Sequence, residues 1–112
     1  MNSIIYLSQS HSKFSEEELV KLYTQSENHN RALGITGYLF YKDNAFVQYI
    51  EGPNLGLDNL IQVITEDNRH EITQRFDQEI AEPMFPNWHM KYLFDGGGYP
   101  FDPGVVYREQ LS

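Results

Sequence analysis

Residues 35 to 52, Ile35-Thr36-Gly37-Tyr38-Leu39-Phe40-Tyr41-Lys42-Asp43-Asn44-Ala45-Phe46-Val47-Gln48-Tyr49-Ile50-Glu51-Gly52, constrain this chain more than any other stretch. Two arms rich in aromatic and β-branched residues flank Asp43-Asn44, a pair able to make a tight turn, so the segment is predicted to be a β-hairpin. Side chains alternate across a strand, so Phe46, Gln48 and Ile50 share one face while Val47, Tyr49 and Glu51 share the other. Gln48 is thereby a neutral amide between two large apolar neighbours. Buried without partners, such an amide costs about 1–3 kcal/mol, so a hydrogen-bonding group must face it. Either an ordinary core hydroxyl or a ligand site would serve, and the hairpin alone leaves both open.

A chain of 112 residues is long enough for one two-layer core. It has no cysteine, which removes disulfides, thiol catalysis and cysteine-based zinc sites. The four histidines, His11, His29, His70 and His89, lack metal-ligand spacing, and no metal site is expected. Neither a glycine-rich phosphate loop nor a nucleophile elbow is present. A net charge of −8 without a basic cluster argues against nucleic acid and anionic lipid as partners. With no apolar run of the ~18–20 residues that span a bilayer, and no signal-peptide pattern, the expected location is the cytoplasm.

Around the hairpin the chain alternates strands and helices. Asn2 to Ser8 reads as a strand with Ile4, Tyr6 and Ser8 on one face and Ile5 and Leu7 on the other. After the polar connection Gln9 to Phe14, Ser15 and Glu18 form a capping box that opens a helix expected to run to about Glu27. Asn28-His29-Asn30-Arg31 then reads as a polar link. A second helix follows Gly52-Pro53-Asn54, with Leu57, Leu60, Ile61 and Ile64 on one stripe, ending at Asp67-Asn68-Arg69-His70. Ile72, Gln74, Phe76, Gln78 and Ile80 alternate with polar residues as a strand with one wet face. Asn87 to Leu93 reads as a last strand with Trp88, Met90 and Tyr92 on one face, and the Gly/Pro-rich residues 95–112 as a loose tail after a domain spanning 1–94.

This order predicts an α+β, ferredoxin-like βαββαβ fold with an additional C-terminal strand and both helices on one face of a mixed sheet. The first and third strands are then neighbours, bringing Tyr6 beside Gln48. Ile5, Leu7, Tyr38, Phe40, Val47 and Tyr49 line the face away from the helices, too apolar to stay wet, so the tail or a second subunit is expected to cover it. On the helix side, Tyr6, Gln48, Asn30, Asp67 and Arg69 converge where a planar ligand could lie. Singly, each has an ordinary explanation: Asn30 and Asp67 as helix-end residues, Arg69 as a surface charge, Trp88 as core.

Ile4-Ile5-Tyr6-Leu7-Ser8, His29-Asn30, Gly34-Ile35-Thr36-Gly37, Phe46-Val47-Gln48-Tyr49-Ile50-Glu51-Gly52-Pro53, Asp67-Asn68-Arg69-His70 and Phe85-Pro86-Asn87-Trp88-His89-Met90 occur in order over residues 4–93. In these motifs the chain resembles the BLUF family, blue-light sensors that bind flavin adenine dinucleotide (FAD). The resemblance implies that Tyr6 is the photoactive tyrosine and Gln48 the glutamine between it and the flavin. It further implies that Asn30, Asp67, Arg69 and His70 bind the polar edge of the isoalloxazine ring, that Leu22 and Ile64 sandwich it, and that Trp88 and Met90 carry the output. Light then drives electron and proton transfer from the tyrosine, the glutamine hydrogen bonds rearrange, and the absorption moves slightly to the red. Such a domain is a switch and not an enzyme, and a downstream protein effector receives its signal, since residues 95–112 hold no effector domain. Two positions depart from the family pattern: Met84 stands where many members have arginine, and Val63 replaces a basic residue that some direct at the cofactor phosphates. FMN or riboflavin is therefore a conceivable substitute for FAD.

Other readings share the fold. An RNA-recognition domain would need a stacking aromatic where Asn44 stands and a glycine where Asp43 stands. A chromophore-free ligand-binding or dimerisation module is a second alternative. An acylphosphatase-like enzyme is a third, but Gln9-Ser10-His11-Ser12-Lys13 makes no phosphate cradle.

Overall fold

In a computed structural model, residues 1–93 are described, with the backbone alone at Tyr92 and Leu93. They form β1 (Asn2–Ser10), α1 (Glu16–Leu33), β2 (Thr36–Lys42), β3 (Ala45–Gly52), α2 (Asn54–Glu66), β4 (His70–Glu79) and β5 (Lys91–Leu93). The sheet order is β4-β1-β3-β2-β5, antiparallel except for the parallel β2–β5 edge. This is the expected ferredoxin-like arrangement with an added strand.

The hairpin closes through Asp43 and Asn44 at φ 54° and 64°, a two-residue turn whose twist matches the strands it joins. Pairing of β1 with β3 sets Tyr6 directly opposite Gln48. The helix-side core gathers Ile4, Tyr6, Leu39, Phe46 and Ile50 of the sheet beneath Leu19, Leu57, Leu60 and Ile61 of the helices. On the other side Ile5, Tyr38, Val47 and Tyr49 form a second cluster. The alternation read from the sequence therefore holds through β1, β2 and β3.

Four expectations are corrected. Helix α1 does not stop near Glu27 but continues to Leu33, so Asn28-His29-Asn30-Arg31 is helical and not a link. Its stop is Gly34 in the left-handed conformation, with the Ile35 N–H bonded to the Asn30 carbonyl at 2.9 Å. The modest helix preferences of those four residues, within about 0.7 kcal/mol of alanine each, yield to this cap and to burial of Asn30.

The second correction lies in β4. A bulge at Thr73 shifts the register, so that Leu7 faces Gln74 while Ser8 faces Ile72. An extra residue reverses the side-chain parity beyond it. Ile72 therefore joins the helix-side core and Phe76 the opposite cluster, and not one shared face.

The third concerns the last strand, which spans Lys91–Leu93 rather than Asn87–Leu93. Because residues 80–90 are not extended, Trp88 and Met90 do not share a face: Trp88 packs with the outer cluster and Met90 with the helix-side core. The fourth concerns what covers the outer face. Part of the cover is this 80–90 segment, whose Phe85 ring stands edge-on to Tyr38 and Tyr49 and stacks on Trp88 at 4.9 Å. The expected tail, with the domain boundary after residue 94, lies outside the described residues.

Candidate functional site

Between α1 and α2, above the centre of the sheet, lies a cleft of about 220 Å³. Its walls and floor include Tyr6, Leu22, Asn30, Gln48, Ile64, Asp67, Arg69 and His70, every residue assigned to the ligand from sequence. Met90 adjoins it through Gln48. Trp88 does not, being on the far side of the sheet.

The floor is a polar row in an apolar setting. Tyr6, on β1, donates its hydroxyl proton to Gln48 Oε1 on β3, and Gln48 Nε2 points at Met90 Sδ 3.6 Å away. All three side chains are buried. Burial, and secondarily the negative charge of Asp67, pushes the Tyr6 phenol above its ordinary pKa. An ionised Tyr6 is thus disfavoured, and its proton is held on the line to Gln48.

Asn30 sits on the last turn of α1, wholly buried, and donates from Nδ2 to the His89 carbonyl at 2.8 Å. Its Oδ1 has no partner among the described residues. At the end of α2, Asp67 and Arg69 form a two-pronged ion pair, with contacts of 2.6 and 2.9 Å, that aligns both side chains. Hydrogen bonds from Arg69 hold the Asp67 carboxyl below its usual range, and Asp67 raises Arg69 in turn. The guanidinium lies 5.5 Å from the Phe14 ring centre, a cation–π contact at the edge of the cleft. His70 Nε2 lies 3.0 Å from the Ile64 carbonyl, while Nδ1 is buried without a partner among the described residues.

The sequence reading missed Phe14, Gln25, Ser26, His29, Leu39, Phe46, Leu60 and Val63 as lining residues. Phe14 had a usable signal. It immediately precedes the cap residue Ser15, with Leu19 four residues after the cap, the spacing of a hydrophobic staple.

The family described as sensors of blue-light using FAD (BLUF) matches residues 1–91. The chain belongs to the BLUF family. This BLUF domain is 32% identical over 94 residues to photoactivated adenylate cyclase subunit alpha of Euglena gracilis, covering 81% of the chain and 9% of that protein. It is 38% identical over 63 residues to the beta subunit from the same organism, covering 55% of the chain and 7% of the relative. Among solved structures it is similar to the dark state of BlrB, a BLUF protein, with TM-score 0.79 and 31% identity over 99% of this chain and 84% of that one. A bacterial light-regulated adenylyl cyclase matches with TM-score 0.79 and 29% identity over 98% of this chain and 33% of that chain. The domain thus spans less than a tenth of the curated relatives it matches.

BLUF domains are blue-light sensors that bind flavin, and the cleft of this one suits a flavin ring. Leu22 and Ile64 offer apolar walls from the two helices, and unpartnered Asn30 Oδ1 offers an acceptor to a ring N–H. The RNA-recognition alternative gives way to this membership. Phe46 is buried under the helices and Tyr49 on the outer face, so neither is open to stack on a base. Among the described residues, no group of His, Cys, Asp and Glu could hold a metal, and no helix is long and apolar enough to cross a membrane.

Proposed function

We propose that the chain is a light-operated switch that binds FAD noncovalently between α1 and α2 and transmits its state through Gln48 and Met90 to a protein effector. The observation that carries this reading is the buried row Tyr6–Gln48–Met90 on the floor of the cleft. Asn30, Asp67, Arg69 and His70 would bind the polar edge of the ring, with Leu22 and Ile64 on its faces. A bound flavin supplies blue-light absorption and, once excited, the capacity to accept an electron and a proton.

The chain's own part follows from its groups. Tyr6 is the donor, because a phenol can release both an electron and a proton, and its proton already lies against Gln48 Oε1. Gln48 carries an acceptor and a donor on one planar group, so rotation or tautomerisation reverses what it offers each neighbour. In the described state its N–H faces the Met90 thioether, a weak acceptor that cannot donate. After a half-turn of the amide, oxygen would face sulfur, and the contact would be lost. Met90 immediately precedes β5, so the loss would free that strand to take a second arrangement.

The effector is a protein: either a partner or a further segment of a longer chain, as the cyclase titles of its relatives suggest. The cytoplasm is the proposed location, and a second copy on the outer face a proposed further association. The first test is an absorption spectrum of purified protein before and after blue light. Flavin bands with a reversible red shift support the switch, whereas folded protein that neither carries nor takes up flavin overturns it. Chromatography of the released cofactor, and titration with FAD, FMN and riboflavin, identify the flavin.

A further inference from the structure

The geometry points to Glu51 as the positioning residue that keeps Met90 at Gln48 and Trp88 on the opposite face. This deepens the reading of Gln48 and Met90 as the switch and rests on it. Glu51, on β3, is 1% exposed, yet it has no contact with the cleft. Its two oxygens accept four hydrogen bonds. Two come from the sheet: Thr36 Oγ1 at 3.1 Å to Oε1, and Tyr49 Oη at 2.9 Å to Oε2. The other two come from backbone N–H groups of the 80–90 segment: Phe85 at 2.6 Å to Oε1, and Met84 at 2.7 Å to Oε2. Hydrogen bonds to a carboxylate are short and roughly twice as strong as neutral ones, so this is a strong tether for a segment without regular structure.

The tether sets the course of the chain from residue 85 to residue 90. With Met84 and Phe85 held, the Phe85 ring packs against Tyr38 and Tyr49 and stacks on Trp88. The Trp88 carbonyl then accepts from Gly37 N at 2.6 Å, and the chain passes the β2 edge to the helix side. There the His89 carbonyl meets Asn30, and Met90 meets Gln48. Trp88 and Met90 are two residues apart on opposite faces, so slippage of this segment would exchange which one approaches Gln48. Glu51 opposes the slippage from the outer face, without touching Tyr6, Gln48 or the cleft.

Two variants test this in the flavin-loaded protein. Glu51→Gln keeps the shape but puts an amide NH2 where backbone N–H groups now point. Met84→Pro removes one tethering N–H at a position 53% exposed, away from the core, and so decides the matter even if Glu51→Gln does not fold. Trp88 is the protein's single tryptophan, so its emission and its quenching by acrylamide report its position directly. Both variants are expected to bind flavin in the parent's ratio and to change the Trp88 quenching constant at least about twofold in the dark. The dark recovery of the red-shifted state should change severalfold while the size of the red shift stays the same. Folded, flavin-loaded Met84→Pro with the parent's Trp88 quenching and recovery would overturn the role of Glu51. Absence of a red shift in the parent would instead overturn the switch, and the Trp88 measurement would still judge the tether.

Discussion

Gln48 and Met90, 42 residues apart in sequence, meet as an amide N–H aimed at a thioether sulfur 3.6 Å away. The same amide accepts the Tyr6 hydroxyl through its oxygen, so its orientation is set at both ends. No single-bond adjustment can satisfy Tyr6 and Met90 equally after the amide turns. The contact that breaks is the weaker one, to sulfur, and it is the one nearest the end of the sheet.

Tyr6→Phe should retain flavin and lose the reversible red shift, because it removes the hydroxyl and little volume. The check is a light-minus-dark difference spectrum of the loaded variant. A normal photocycle there would mean that another group supplies the electron and proton.

Gln48→Leu should also bind flavin without the red shift, since an alkyl group exchanges no hydrogen bonds. It also strands the buried Tyr6 hydroxyl, at a cost of about 1–3 kcal/mol. Denaturant melts of the parent, Gln48→Leu and the Tyr6→Phe/Gln48→Leu double variant should show the second substitution restoring part of that loss.

Met90→Ala should keep the red shift while shrinking the light-dependent change in hydrogen exchange over residues 88–112. Met90 is 2% exposed, so a stability loss of about 2–5 kcal/mol accompanies it. An undiminished light–dark difference would leave Met90 as core filling only.

Flavin retention should weaken in acid, and earlier in Arg69→Ala. Arg69 lowers the Asp67 carboxyl in the folded protein, so the contribution of Asp67 is complete above the ordinary carboxylate range. It is lost as the pH falls through the depressed folded value. Without Arg69 that value rises, and flavin release, followed by its fluorescence, should begin at higher pH. Identical acid profiles would remove the Asp67–Arg69 pair from the site.

Gly37→Ala should abolish folding. A Cβ there would lie 1.9 Å from the Tyr49 carbonyl oxygen, within the backbone of the neighbouring strand. Loss of cooperative melting is the expected result, and a folded variant would show that β2 and β3 can separate without penalty.

The sequence by itself determined whatever depends on neighbours a few residues apart. Asp43-Asn44 specifies a two-residue turn, alternation assigns Gln48 and Tyr49 to opposite faces, and Ser15 with Glu18 starts a helix. Motif order then named the family and the eight residues that line the cleft. Tertiary structure alone decided the rest. Helix α1 outran its polar end because Gly34 caps it and Asn30 finds a carbonyl from residue 89. Thr73 bulges within the pairing of β1 with β4, which no pattern inside β4 reveals. Trp88 and Met90, two residues apart, part to opposite faces because Glu51 and Gly37, far back in the chain, bind the backbone between them and the sheet. Local preferences amount to tenths of a kcal/mol per residue, whereas a buried carboxylate or amide must find its partners wherever the fold supplies them.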